Sequence, residues 1–387
     1  MTLQPTSEPI RVLVVDDSAL IRRLVTGILE EEPGVTVVGT APNGRIALER
    51  IAQLKPDVVT LDIEMPELDG IATVKELRRT DRATPVIMFS TLTERGAAAT
   101  LDALVGGADD YVTKPSGVSS PAAAKDVVRD QLVSKVTALG GRRRTLARRL
   151  PAAAAAGAHP AAARTAPRPA PVAAGPGAVA PPSVTLRPSR PAGAPQLIVV
   201  GASTGGPAAL TELLPQLAAT FPVPIAIVQH MPPLFTRQFA ERLDRISGLR
   251  VREAGDGEAL LPGDVLVAPG DRHLQVVRDG SRLVTRFNDG PPENYCRPAV
   301  DVLFRSAAAA LGRAVHGLVL TGMGSDGREG ARAIVEAGGD VAVQDAATSV
   351  VWGMPGAVAT AGLASAALPL SAVAAHLQER AHRRRLA

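Results

Sequence analysis

Cysteine is almost absent from this chain of 387 residues: Cys296 stands alone, which excludes a disulfide framework within the chain. Aromatic residues amount to only 2%, and none is interleaved with basic residues in the manner of a stacking surface for nucleic acid. No apolar run reaches the length of about 18 residues that suggests a membrane span. The sequence also opens without a charged-then-apolar leader, so a reducing, cytoplasmic setting with no inserted segment is expected. Charge of one sign is only slightly in excess, at 42 basic against 38 acidic residues, and the surplus is local. It gathers in "GRRRTLARRL" (141–150), in the segment after it and in "ERAHRRRLA" at the C-terminus, which read as solvated ends. No helix-turn-helix pattern accompanies them, and no DNA partner is expected.

What is present divides into two α/β units and a spacer. From Ala152 to Pro195 proline and alanine dominate without a sustained amphipathic period, so this stretch cannot build a core and reads as a partly extended linker. On either side, short β-branched apolar runs alternate with helical patterns, the signature of a parallel α/β architecture. Strands are expected first at "IRVLVVDD", "VTVVGTA", "PDVVTLDI", "TPVIMFS" and "DDYVTKP". After the spacer they are expected at "QLIVVGA", "PIAIVQH", "GDVLVAP", "RLVTRF", "GLVLTGM" and "DVAVQD". Glycine and polar breaks fall at the ends of these runs, where open α/β sheets place their ligands.

In the first unit Asp16 and Asp17 end one strand, Asp62 ends another, Ser90 ends a third and Lys114 follows the last. A parallel sheet brings all five to one edge. Three clustered carboxylates repel one another, and a hard cation such as Mg²⁺ relieves that repulsion. A cation there also screens a carboxylate attacking a phosphoryl donor, while Lys114 and the Ser90 hydroxyl can hold the transferred oxygens. The plainer reading of any one aspartate is a helix cap.

Through "VVDDS", "LDIEMPELDG", "MFSTLT" and "TKP", the segment from residue 9 to about 130 resembles the receiver domain of two-component response regulators. The resemblance implies a flavodoxin-like (βα)5 fold and a phosphoacceptor at Asp62. It further implies Mg²⁺ held by Asp17 and Asp62, with Asp16 acting through water and the Glu64 carbonyl completing the site. Tyr111 falls where the family carries an aromatic switch residue, alongside Ser90 and Lys114.

In the second unit, "LIVVGASTGG" (197–206) is an apolar run that breaks into a glycine-rich turn. A dinucleotide site would need an acidic residue about 20 residues on, yet the next strand ends in Gln229 and His230. Read as G-x-S-x-G from Gly201 to Gly205, the turn looks like a nucleophile elbow presenting Ser203. A serine hydroxyl needs an imidazole to take its proton and a carboxylate to orient that imidazole. His230 is the expected base and Asp326, in "LTGMGSDGREG", the expected carboxylate; the rival role for Asp326 is to cap the helix that follows. Spacing leaves open a second set, Ser203 with Asp271 and His316, although His316 precedes its strand. His273 is expected to be a buried, hydrogen-bonded residue.

The motifs "GASTGGPAAL", "VQHMPPLFT", "VAPGDRHL", "CRPAVDVLF", "LTGMGSDGREG" and "VQDAATSVVWGMPGAV" resemble the catalytic domain of chemotaxis protein-glutamate methylesterases. Trp352 and Gly356 depart from the residues frequent there. The resemblance implies a doubly wound, mainly parallel α/β domain with the triad Ser203, His230 and Asp326, the Met323 amide among the oxyanion donors and Thr204 beside the nucleophile. The implied organisation is a receiver over 9–130, a linker over 131–195 and a methylesterase over 196–380. Mg²⁺ would serve phosphorylation and no cofactor the hydrolysis. The implied partners are a chemotaxis histidine kinase as phosphodonor and methyl-accepting chemotaxis receptors as substrate, at cytoplasmic receptor arrays. The competing expectation is a receiver-controlled binding module with a vestigial triad.

Overall fold

The computed structural model describes residues 8–115, 121–149, 184–189 and 193–382. Most of the expected linker, 150–183 and 190–192, and the last five residues of the basic C-terminus lie outside the described residues.

The N-terminal domain runs β1 (Ile10–Val15), α1 (Ala19–Glu30), β2 (Val35–Ala41), α2 (Gly44–Leu54), β3 (Val58–Asp62), α3 (Gly70–Thr80), β4 (Val86–Ser90), α4 (Glu94–Val105), β5 (Asp110–Thr113) and α5 (Pro121–Arg149). All five strands pair in parallel in the order β2-β1-β3-β4-β5. The first four helices start on polar caps: Ser18, Asn43, Asp69 and Thr93 each accept an amide three residues on. Strand order reverses between β1 and β3, opening a crevice at the carboxyl ends where Asp16, Asp17 and Asp62 stand.

The C-terminal domain comprises β6 (Leu197–Ala202), α6 (Gly206–Leu213), β7 (Ile225–Gln229), α7 (Pro233–Ile246), β8 (Arg250–Glu253), β9 (Asp264–Val267), β10 (His273–Asp279), β11 (Arg282–Asn288), α8 (Val300–Leu311), β12 (Val315–Val319), α9 (Arg328–Glu336), β13 (Asp340–Gln344), α10 (Met354–Thr360), β14 (Ala366–Leu368) and α11 (Leu370–His382). Seven strands form a parallel sheet in the order β14-β13-β12-β6-β7-β9-β8. The chain enters at the centre on β6, builds one flank, then returns to build the other from β12. The reversal therefore lies between β6 and β12. The expected strand "RLVTRF" is β11, which pairs antiparallel with β10 outside this sheet.

Two expectations are corrected. The linker does not begin at 131, because α5 continues to Arg149 and keeps an apolar face: Val128, Leu132, Val136 and Leu139 are all buried against the sheet. Toward its C-terminal end, Arg144 Nε lies 3.0 Å from Asp57 Oδ2, and its Nη2 donates to the Pro9 carbonyl at 2.5 Å. At the far end of the linker, Val184 packs on the C-terminal core and Arg187 bonds the Leu363 carbonyl at 3.1 Å and the Asp340 carboxylate. Nor are the basic runs simply solvated ends. Arg143 and Arg144 pin α5 to its own sheet, and Arg380 is buried with its guanidinium 3.2 Å from Asp340 Oδ2. Among the described residues no helix is long and apolar enough to cross a membrane.

Candidate active site

Ser203 begins the turn between β6 and α6. Its amide donates to the Thr321 carbonyl at 3.0 Å, and its own carbonyl accepts Gly206 N at 2.8 Å and Gln229 Nε2 at 3.0 Å. Gly205 takes φ +77°, a left-handed turn, and a Cβ there would lie 2.6 Å from Val350. Ser203 itself has no positive φ. The turn therefore differs from a strained nucleophile elbow: the glycine, not the serine, absorbs the left-handed conformation. The acidic residue that a dinucleotide site requires is missing here too: β7 ends in Gln229, whose Nε2 is bonded to the Ser203 carbonyl.

His230 leaves β7 with its amide on the Ala202 carbonyl at 3.1 Å, next to the serine turn. Its Nε2 lies 2.8 Å from Asp326 Oδ2, and its Nδ1 lies 3.4 Å from Cys296 Sγ. Burial works against a charged ring, but the bonds to Asp326 and Cys296 outweigh it and raise the His230 pKa to about 10.

Asp326 is buried and fully engaged. Oδ2 accepts Val300 N at 2.7 Å, while Oδ1 accepts Asp301 N at 3.0 Å, Gly327 N at 2.9 Å and Asn294 Nδ2 at 3.1 Å. Two of these donors are the first amides of α8, so Asp326 sits at the positive end of that helix rather than capping α9. Burial pushes its pKa up, but His230 and these amides hold it below the usual carboxylate range. Its neighbour Asp301 accepts Gly330 N at 2.6 Å; burial and the Asp326 charge raise it to about 6.

Loops at the carboxyl ends of adjacent strands β6, β7 and β12 thus bring Ser203, His230 and Asp326 to one crevice. Met323 lies in the same loop as Asp326, directly after Gly322, where a Cβ would fall 2.9 Å from Ser203 Cβ. The rival set is not assembled. Asp271 holds Arg297 through an Nε–Oδ1 bond of 2.9 Å, and His316 sits near the amino end of β12, at the opposite sheet edge. His273 is buried as expected, accepting Ala299 N at 3.1 Å and bonding the Pro291 carbonyl at 3.0 Å. Sequence reasoning missed the roles of Asn294, Cys296 and Asp301, although Cys296 and Asp301 lie within the motif "CRPAVDVLF" and Asn294 two residues ahead of it.

The acidic site of the N-terminal domain is also formed. Oxygens of Asp16, Asp17 and Asp62 lie within 4.8 Å of one another. Lys114 Nζ stands 2.8 Å from Asp62 Oδ2 and 3.0 Å from Asp16 Oδ2. Burial and the Asp16 charge raise Asp62 to about 6, against the pull of Lys114. Three carboxylates facing a single ammonium form an oxygen-only, charge-deficient set, which fits a hard divalent cation. Glu64 turns its side chain outward, with Oε1 3.8 Å from Arg95, so only its backbone could join that site. Ser90 Oγ accepts Thr100 Oγ1 at 2.6 Å, tying the strand end to α4.

Tyr111 and Thr204 belong to a contact between the domains. The Tyr111 ring stacks on Phe235 of α7 with centroids 4.8 Å apart and planes at 7°. The Thr204 hydroxyl donates to Asp110, which also accepts Lys135 at 2.8 Å. Farther out, Arg242 pairs with Asp102 and Gln238 Nε2 donates to the Glu94 carbonyl at 2.8 Å. Thr204 is therefore occupied by this contact rather than standing free beside Ser203.

The CheB methylesterase family matches residues 198–377, and the response regulator receiver domain matches residues 12–122. A protein-glutamate methylesterase/protein-glutamine glutaminase of Nocardioides sp. is 54% identical over 380 residues, covering 97% of this chain and 96% of that one. A relative of the same description from Trichodesmium erythraeum is 45% identical over 375 residues, covering 96% and 98%. Among solved structures, the Thermotoga maritima CheB methylesterase catalytic domain is 42% identical, covers 48% of this chain and 98% of that one, and gives a TM-score of 0.47. Both domains, their order and almost the whole length are shared, so the chain belongs to the protein-glutamate methylesterase/protein-glutamine glutaminase family, with a receiver domain ahead of the esterase domain.

Proposed function

We propose that this chain removes methyl groups from glutamate methyl esters on chemotaxis receptors, and deamidates glutamines there, under control of phosphorylation at Asp62. The observation that carries the chemistry is the 2.8 Å bond between His230 Nε2 and Asp326 beside the Ser203 turn. Nε2 is held by Asp326, so Nδ1, which Cys296 Sγ contacts at 3.4 Å, is the nitrogen that takes the Ser203 proton once the thiol contact gives way. Ser203 Oγ attacks the γ-carbonyl carbon, His230 passes the proton to the departing methoxy group, and methanol leaves an acyl-serine. Water, deprotonated by the same imidazole, then restores the glutamate and the free serine. With glutamine the leaving group is ammonia. The Met323 amide is the proposed donor to the tetrahedral oxyanion, where loss of one donor costs about 100-fold or more in rate.

Control acts through the domain contact. Asp16, Asp17, Asp62 and the Glu64 carbonyl would hold Mg²⁺, which would neutralise charge during phosphoryl transfer. Phosphate on Asp62 draws on Lys114 and Ser90; Lys114 follows β5, which carries Asp110 and Tyr111, and Ser90 is bonded to α4. The elements that touch α7 and the Ser203 turn are therefore those next to the phosphorylation site. Phosphorylation must favour the separated arrangement by a free-energy difference, and the receiver covers the esterase cleft until it does. The phosphodonor is a chemotaxis histidine kinase, and the protein works at cytoplasmic receptor arrays. The receiver unit spans residues 9–149 and the esterase unit 184–382.

The test is methanol release from methylated receptor membranes with and without a small phosphodonor and Mg²⁺. Stimulated release is expected from the wild type, none from Ser203→Ala, and chelation of the metal should remove the stimulation while sparing the basal rate. Folded wild type that releases no more methanol than Ser203→Ala would leave the chain a receiver-controlled binding module.

A further inference from the structure

Between β11 and α8 the chain makes a two-residue hairpin. Glu293 N donates to the Cys296 carbonyl at 3.0 Å, Cys296 N donates back to Glu293 at 2.9 Å, and the turn is closed by Asn294 at φ 52° and Tyr295 at φ 64°. Both central residues are left-handed, as a type I′ turn requires. Asparagine tolerates that region, whereas a bulky aromatic there is an outlier whose strain the surroundings must hold.

The surroundings that hold it are the active site. Asn294 Nδ2 donates to Asp326 Oδ1 at 3.1 Å and Asp301 Oδ2 at 3.0 Å, Cys296 Sγ contacts His230 Nδ1, and the Glu293 carboxylate meets Arg305 through two bonds of 2.6 Å. From this anchored turn the Tyr295 ring projects wholly into solvent, with a fractional exposure of 103%. Its exposure is reached with the receiver in place, which covers Phe235 but not this ring. In a chain with only two tyrosines, one is thus fixed in an unfavourable conformation, without packing, one residue from a contact to the catalytic imidazole.

We propose that Tyr295 is a substrate-docking residue: its ring lies against the polypeptide surface flanking the scissile glutamyl side chain and sets affinity for the protein substrate. Neither stability nor solubility accounts for the ring, since its backbone is strained and its apolar face is bare. On a backbone fixed beforehand, a tyrosine ring gives up only its two side-chain torsions to contribute a large contact area, the property that makes such residues binding anchors. The role rests on the esterase reading above.

The test compares full-length wild type, Tyr295→Asn and Tyr295→Phe, each phosphodonor-activated, on methylated receptor membranes and on a small soluble glutamate methyl ester. Asparagine suits the left-handed turn, so Tyr295→Asn should melt no lower than wild type. On receptors its KM should rise by about 10-fold with kcat nearly kept, the size expected of an interface anchor. Tyr295→Phe should restore most of the affinity, and all three proteins should hydrolyse the small ester alike. An unchanged receptor KM in Tyr295→Asn, or a parallel loss on the small ester, overturns the docking role while leaving the esterase standing. Wild type that yields no methanol from receptors overturns the esterase reading, and the docking role with it.

Discussion

His230 is held from both sides, by Asp326 on Nε2 and by Cys296 on Nδ1, and its pKa is raised to about 10. A ring whose pKa lies that high is protonated at neutral pH and cannot accept the Ser203 proton, so the ascending limb of kcat/KM for the unphosphorylated chain should lie above neutrality. Cys296 contributes to the raising, so Cys296→Ala should move that limb to lower pH. The check is a pH–rate profile on a small ester; a limb that stays in place would mean that Cys296 does not govern the base. The same shift bears on stability. Because the folded pKa lies above the ordinary 6.5, the stabilisation is complete below about 6.5 and is lost as pH rises through about 10.

At the scale of elements, α5 decides where the first domain ends. Leu139 is 1% exposed, and a Cβ on Gly140 would fall 2.5 Å from Ile10 Cγ2, so the helix beyond residue 130 lies tightly on the sheet. Leu139→Ala should therefore cost about 2–5 kcal/mol, read as a lower urea midpoint for the receiver transition, where a linker residue would change it by less than about 0.5 kcal/mol. The boundary at 131 passed over the helical spacing of Val128, Leu132, Val136 and Leu139, and the charged "GRRRTLARRL" beyond them reads as solvated until Arg144 is seen on Asp57. The central strands were legible from their continuous apolar runs, since strands buried on both faces leave no alternation. β8, with the polar text RVRE, and β14, only three residues long, carry no such signal. Ser203 and His230 were visible as polar breaks that end apolar runs, and Asp326 as the carboxylate in the glycine-rich loop after one. Asn294 and Cys296 were not, because a left-handed turn brings them to Asp326 and His230 from a loop with no periodicity.

For the whole molecule, the decisive contacts join residues far apart in sequence: Thr204 meets Asp110 and Arg242 meets Asp102, at separations of 94 and 140 residues. The apolar part of the contact, Tyr111 on Phe235, is continuous with the core of both domains, so truncating it would disturb folding as well as docking. The Arg242–Asp102 pair lies at the rim, with side-chain exposures of 22% and 53%, and can be reversed without opening a core. If the closed arrangement limits basal activity, Arg242→Glu places two like charges together and shifts the population toward separation. The interaction of such a rim pair is worth about 1 kcal/mol or less, so unphosphorylated esterase activity should rise by up to about fivefold. Phosphodonor stimulation should shrink by the same factor, because the fully activated rate does not depend on the contact. Combining Arg242→Glu with Asp102→Arg rebuilds the pair with its polarity reversed and should return the basal rate toward that of the wild type. An effect that the double reversal does not undo would place it within the esterase domain rather than at the contact, and a basal rate unchanged in Arg242→Glu would mean that this rim does not hold the receiver closed.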